Sequence, residues 1–136
     1  MSNEFIAATA EVLNKELNWF YQILDTRIKL HFGHDCDYKD IFEIAPPELA
    51  SDSQLHYNGF IRHYNINFEE RVVLILALVS QIRPQMLDVF FTKNASLDKE
   101  FTEFGGATCQ QGKVFLPTAE TALFLLAGTD LEKRFL

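Results

Sequence analysis

Phe101-Thr102-Glu103-Phe104-Gly105-Gly106 and, a little further on, Gly112-Lys113-Val114-Phe115-Leu116-Pro117-Thr118-Ala119-Glu120-Thr121-Ala122-Leu123-Phe124-Leu125-Leu126-Ala127-Gly128 pass through four characters in one short stretch. An acidic aromatic segment runs into a paired-glycine turn, then into an apolar strand stopped by proline, then into an apolar helix ended by glycine. Gly105 and Gly106 allow the positive backbone angles that a tight turn requires. Thr118 is placed to cap a helix over residues 122–127, and Gly128 to end it. Residues 105–116 therefore read as a hairpin-like excursion, polar at its tip (Thr108, Gln110, Gln111) and apolar on its return, with Phe104 and Phe115 anchoring its two arms.

A lysine behind glycines raises the question of phosphate binding. A Walker loop needs glycine, four residues, then Gly-Lys-Ser/Thr, so that backbone N–H groups wrap the phosphates and the hydroxyl meets magnesium. Measured back from Gly112-Lys113, the first glycine would have to be Ala107, and Gly106 is one residue too early. Val114 stands where the hydroxyl is required, and Pro117 lies where the helix would already be running. The spacing excludes a nucleotide loop here, and no cofactor is expected.

The rest of the chain reads as helix. Ile6, Ala10, Leu13, Leu17, Phe20 and Leu24 alternate spacings of four and three across residues 3–29, the stripe of an amphipathic helix about 40 Å long. Trp19, Tyr21, Ile23 and Ile28 widen that stripe and favour burial within the domain over a coiled-coil dimer. Ala45-Pro46-Pro47-Glu48 breaks the chain. Ser51-Asp52-Ser53 caps a helix through Leu55, Phe60, Ile61 and Tyr64, which Gly59 weakens. Asn67 with Glu70 forms a capping-box pattern ahead of the continuous apolar run of residues 72–79, a helix expected at the centre of a bundle. Pro84 suits the first position of a following helix carrying Met86, Leu87, Val89, Phe90 and Phe91. Residues 94–100 are polar and turn-like, and Thr129 with Glu132 restarts a last short helix. The expectation is a mainly α protein: one helical bundle over residues 1–136 with a small hairpin near residues 105–116.

Composition agrees with a globular chain, 48% hydrophobic and 23% charged. The thirteen phenylalanines should fill the core, with some of those in the 101–116 region serving as surface anchors. Net charge is −7, divided as −5 over residues 1–66 and −2 over residues 67–136, so neither half offers the clustered cations that nucleic acid requires. Two cysteines, Cys36 and Cys109, fit free thiols in a reducing cytoplasm better than a disulfide framework. The apolar run of residues 72–79 falls far short of the roughly 20 residues that cross a bilayer, and no membrane partner is expected. The apolar ending Phe135-Leu136 suggests a chain that continues.

The motif residues Phe101 to Gly106, with Phe115-Leu116-Pro117-Thr118, Glu120-Thr121 and Phe124-Leu125-Leu126-Ala127-Gly128, resemble the domain that precedes the motor in a group of bacterial AAA-family ATPases. Some members of that group are encoded beside phage-tail-like contractile injection systems. The resemblance extends over roughly residues 68–136, taking in the helix around Arg71 and the Pro84-Gln85-Met86-Leu87-Asp88 segment. This chain has Ala119 where glycine is common in that group, and it carries no Walker A, Walker B or sensor-like segment. The resemblance therefore implies an accessory, non-catalytic domain that binds a protein partner or packs on the ATPase module of its own chain, with hydrolysis lying beyond Leu136. A stand-alone helical adaptor is the competing expectation.

Three site readings follow from the residues themselves. Gln110, Gln111 and Lys113 at the hairpin tip form a candidate interaction loop, with Phe104, Gly105, Gly106, Phe115, Pro117, Thr118, Glu120 and Gly128 as its structural frame. Lys113 is the only cation of the excursion, which favours a protein over nucleic acid. Glu103 and Glu120 are the best carboxylate pair for hydrolytic chemistry, but helix-dipole stabilisation of Glu120 and ion pairing of Glu103 with Arg71, Lys113 or Arg134 account for them as well. His31, His34, Asp35, Cys36 and Asp37 hold metal-ligand types on one turn without the second separated pair that closed zinc sites use, and read as a solvated loop.

Overall fold

A computed structural model describes residues 3–49, 56–91, 93–94, 99–100, 104–109 and 114–134. The protein is mainly helical. The amphipathic stripe becomes α1 (Asn3–His31), and Gly33, at φ 70°, closes it as a left-handed C-terminal residue. Its end is sealed by the His34 N–H donating to the Lys29 carbonyl at 2.8 Å and the Gly33 N–H to that of Leu30 at 3.3 Å. A 3₁₀ turn (Ile41–Glu43), capped by Asp40, carries Ile41 into the core.

Helix α2 (His56–His63) ends in the same way as α1, with Asn65 at φ 49° and the Ile66 N–H on the Ile61 carbonyl at 3.0 Å. Asparagine tolerates this conformation because its short polar side chain bonds locally. Two residues later Asn67 opens α3 (Phe68–Ile82) with the expected box: the Glu70 N–H donates to Asn67 Oδ1 at 2.8 Å, and the Asn67 N–H to Glu70 Oε1 at 3.2 Å. The proposed cap at Ser51, Asp52 and Ser53 lies outside the described residues.

After Arg83 the chain turns through 109°. Pro84–Phe91 is the helix expected after Pro84, and it takes the tighter 3₁₀ form. Leu87 and Phe90, three apart, are both buried, and a three-residue turn lays such positions one above the other. At the two ends of the polar segment that follows, Lys93–Asn94 (β1) pairs antiparallel with Lys99–Glu100 (β2), a pairing the turn-like composition did not foretell. Composition marks where a chain reverses, but not which flanking backbone groups bond across the reversal.

Strand β3 (Ala107–Cys109) pairs antiparallel with β4 (Val114–Leu116), placing Ala107 opposite Leu116 and Thr108 opposite Phe115. This is the hairpin expected from the glycine pair. Helix α4 (Ala119–Ala127) starts directly after Thr118, one turn earlier than residue 122, and α5 (Leu131–Arg134) follows. Asp130, not Thr129, caps α5, its carboxylate accepting the Lys133 N–H at 3.3 Å.

Helices α1, α3 and α4 pack on one another, with the long 3₁₀ helix and the β3–β4 hairpin closing one end. The buried side chains form one cluster running from Leu17, Phe20, Ile23 and Leu24 through Val72, Ile75 and Val79 to an aromatic knot. In that knot the rings of Phe90 and Phe104 lie 5.2 Å apart, Phe90 and Phe115 5.0 Å, and Phe104 and Phe124 4.9 Å. Phe104 and Phe115 are core residues, as expected of the anchors of the hairpin's two arms, and Phe101 lies outside the described residues. No single described helix is long and apolar enough to cross a membrane; α3 and the 3₁₀ helix pass together only as a bent pair, and both send side chains into the core.

Candidate functional site

The motif chosen from the sequence is a scaffold in the structure. Gly105 and Gly106 both have positive φ, 65° and 84°. A Cβ on Gly106 would lie 2.1 Å from Phe115 Cζ, and one on Gly105 would lie 2.9 Å from the Thr121 backbone nitrogen. The glycines thus let the backbone entering the hairpin lie directly against the Phe115 ring of β4 and the first turn of α4. Thr118 joins the two parts: its hydroxyl accepts the Gly106 N–H at 2.9 Å, and its own N–H donates to Thr121 Oγ1 at 3.1 Å. Pro117 sits between β4 and this cap.

Glu120 is ion-paired with Arg134 at 2.7 Å, and Arg134 also donates to the Gly128 carbonyl at 2.7 Å. Gly128, at φ 59°, lies under the Arg27 guanidinium, with Nη1 3.1 Å from where a Cβ would stand. Arg27 bonds the Leu125 and Leu126 carbonyls at 2.9 and 3.1 Å and so satisfies the C-terminal end of α4 with a cation where the helix dipole favours one. Burial works to loosen the Arg27 proton, while Asp40 and Asp130 oppose that loss.

Glu103, Gln110, Gln111 and Lys113, the interaction loop and one half of the Glu103–Glu120 pair, lie outside the described residues. The metal-ligand types of the 31–37 turn do not converge; among the described residues no three His, Cys, Asp or Glu are placed to hold an ion. The His31 ring lies edge-on to Phe124, 5.1 Å between centroids, as part of the aromatic knot.

Two features were missed. The first is a buried polar lock. Glu16, fully buried in α1, accepts a two-pronged hydrogen bond from Arg71 of α3, Nε to Oε2 at 2.8 Å and Nη2 to Oε1, and the Tyr57 hydroxyl of α2 at 2.5 Å. Arg71 Nη2 also donates to the Pro47 carbonyl at 2.8 Å, and the guanidinium carbon sits 5.4 Å from the Trp19 ring centroid. Burial alone would loosen the Arg71 proton, but the Glu16 hydrogen bond and charge outweigh it, and the guanidinium is held more firmly protonated than usual. Burial and the Glu16 hydrogen bond together push the Tyr57 hydroxyl well above the ordinary tyrosine range. One carboxylate therefore fixes three helices relative to one another. Next to Tyr57, Asn58 Oδ1 is buried with no hydrogen-bond partner, and nothing in the described structure explains it.

The second feature is an uncovered face. Helix α3, expected at the centre of the bundle, buries Arg71, Val72, Ile75, Leu76 and Val79 but leaves Val73 45% exposed and Ala77 exposed as well. Those two side chains line a groove of about 520 Å³ between α2 and α3, together with Phe60, Ile66 and Leu74; Glu69 and Glu70 stand where α3 begins. Phe60 is 45% exposed and its ring lies 4.9 Å from that of Tyr64, 62% exposed. Glu69 and Glu70 also border a second cleft of about 590 Å³, whose far side holds Phe42, Lys133 and Arg134. Both cations there are already engaged, Lys133 with Asp40 at 2.7 Å and Arg134 with Glu120. The lock and the groove share their elements: Phe60 is one turn beyond Tyr57, and Val73 and Leu74 follow Arg71, so the two helices that the Glu16 carboxylate ties to α1 are also the groove walls.

Sequence did carry a signal for the lock. Glu16 and Arg27 occupy the α1 face that also holds Trp19, Phe20 and Ile23, and a charge on an apolar stripe calls for a partner. The groove has a signal too, since a helix apolar on every side must be covered on every side, and the described residues cover only part of α3. The sequence matches no family model, no curated protein and no solved structure.

Proposed function

We propose that this chain is a non-catalytic protein-docking module that receives a helix of a protein partner in the α2–α3 groove, and that it serves as the accessory domain of a cytoplasmic ATPase of the AAA type. The observation that carries docking is the uncovered face of α3, where Val73 and Ala77 meet the exposed Phe60 in one apolar groove. Contiguous apolar surface of this kind, rimmed by polar residues, marks interaction sites, and aromatic side chains at its edge supply the contacts that dominate binding energy. The motor connection rests on the resemblance of residues 68–136 and is supported by the way Thr118 ties the glycine turn to the start of α4. A photo-crosslinking amino acid at Val73, installed in the protein within its native cells, tests the docking role. Crosslinks to one defined segment, absent when the probe is moved to exposed Asn14 on α1, are the expected result. No specific product from position 73 would remove the groove as a docking site. Reading the encoded chain past Leu136 for a Walker motif separates an ATPase domain from a stand-alone adaptor.

A further inference from the structure

The shape and charge of the groove restrict what can fill it. From Glu69 to Ala77 along α3 is about 12 Å, which matches two turns of an incoming helix and three apolar anchors spaced i, i+4 and i+7. The floor and walls are apolar, while the charged groups at its α3 start are two carboxylates. Glu70 is committed through Oε1 to the Asn67 N–H, and Glu69 is exposed beside it. An incoming segment that ends in acids would meet like charge, and one with lysine or arginine at that end would meet its complement. A second copy of this chain fits poorly, because two-fold pairing through this surface would set hollow against hollow and bring together two molecules each of net charge −7.

Building on the docking role proposed above, we infer that the occupant is an amphipathic helix of a different protein segment, with a three-residue apolar edge and lysine or arginine placed against Glu69 and Glu70. The α2–α3 groove takes the apolar edge between Phe60 and Val73. The carboxylates set its register and steer its approach.

Three fluorescently labelled 16-residue model helices test this against the purified chain. They share leucines at i, i+4 and i+7; the first is flanked by lysines, the second by glutamates, and the third has the lysines with its leucines scrambled. The lysine helix should bind saturably, about tenfold more tightly than the glutamate helix at low salt, with the gap closing as salt rises. The Glu69→Gln variant should shrink that gap about threefold, and Val73→Asp or Phe60→Ala should abolish binding of the lysine helix while circular dichroism shows the fold retained. Equal binding of the lysine and glutamate helices would overturn the charge-matched partner while leaving the docking role intact. Equal binding of the scrambled helix would overturn the apolar anchoring. Failure of all three, alongside a specific crosslink from position 73, would overturn the helical occupant alone; failure together with loss of that crosslink would overturn both. A dimer in sedimentation that Val73→Asp dissociates would make a second copy the occupant and refute this inference.

Discussion

Replacing Glu16 by alanine removes the shared acceptor of the three-helix lock. Arg71 would keep the Pro47 carbonyl and the Trp19 face but would lose both prongs to the carboxylate while remaining 8% exposed. Tyr57 would lose its acceptor at the same time. Removing one member of a buried ion pair typically costs about 3–5 kcal/mol, because the remaining charge is stranded. Against a total stability of roughly 5–15 kcal/mol this is a large share, and it corresponds to a fall of about 10–15 °C in the melting midpoint. Urea denaturation with an unchanged slope would report it as stability and not as loss of compactness. The companion variant, Glu16→Leu with Arg71→Met, should recover to within about 1 kcal/mol of the native protein, since well-packed apolar residues can replace a buried pair. A single-variant cost under about 1 kcal/mol, or a double variant whose cost equals the sum of the two singles, would refute the lock. Because Tyr57 and Arg71 hold the two groove walls, Glu16→Ala should also weaken the lysine helix under conditions where the variant is still folded.

Gly106→Ala combines a positive φ with a Cβ that would meet the Phe115 ring at 2.1 Å, and should cost about 2–4 kcal/mol in chemical denaturation. Gly59→Ala meets nothing within 4 Å in the middle of α2 and should stabilise by about 0.5–1 kcal/mol in the same assay. The raised Tyr57 hydroxyl keeps its proton in the folded protein at a pH where the unfolded chain ionises, so its contribution is complete below about pH 10 and fades as pH rises beyond that. A pH series of denaturation midpoints should show that alkaline decline in the native protein and a shallower one in Tyr57→Phe.

What could be read from the sequence was local. The Asn67–Glu70 box, the glycine pair and the Thr118 start of α4 each depend on a few neighbouring residues whose backbone preferences agree. Periodicity placed α1 to within two residues of its observed end. The 3₁₀ form of residues 84–91 was not legible, because Leu87 and Phe90 also share a face in an α-helix and only the packing selects the tighter turn. The buried lock was not legible as a pairing, since Glu16, Tyr57 and Arg71 are far apart in the chain and meet only once three helices assemble. The uncovered face of α3 lay furthest from sequence reasoning. Residues 72–79 state that burial is needed, and only the finished fold shows which part of it the described residues leave undone.

The most direct measurement of that unfinished burial is thiol labelling at position 73, in a Val73→Cys protein whose Cys36 and Cys109 are replaced by serine. Val73 is 45% exposed in the isolated fold, so the purified protein should react as rapidly as an exposed thiol. Within native cells the same position should be protected at least about tenfold, reflecting an occupant bound at high fractional occupancy, while a control cysteine at Asn14 is modified equally in both settings. Equal labelling of position 73 in the cell and in the purified protein would mean that nothing occupies the groove, and the docking role would fall.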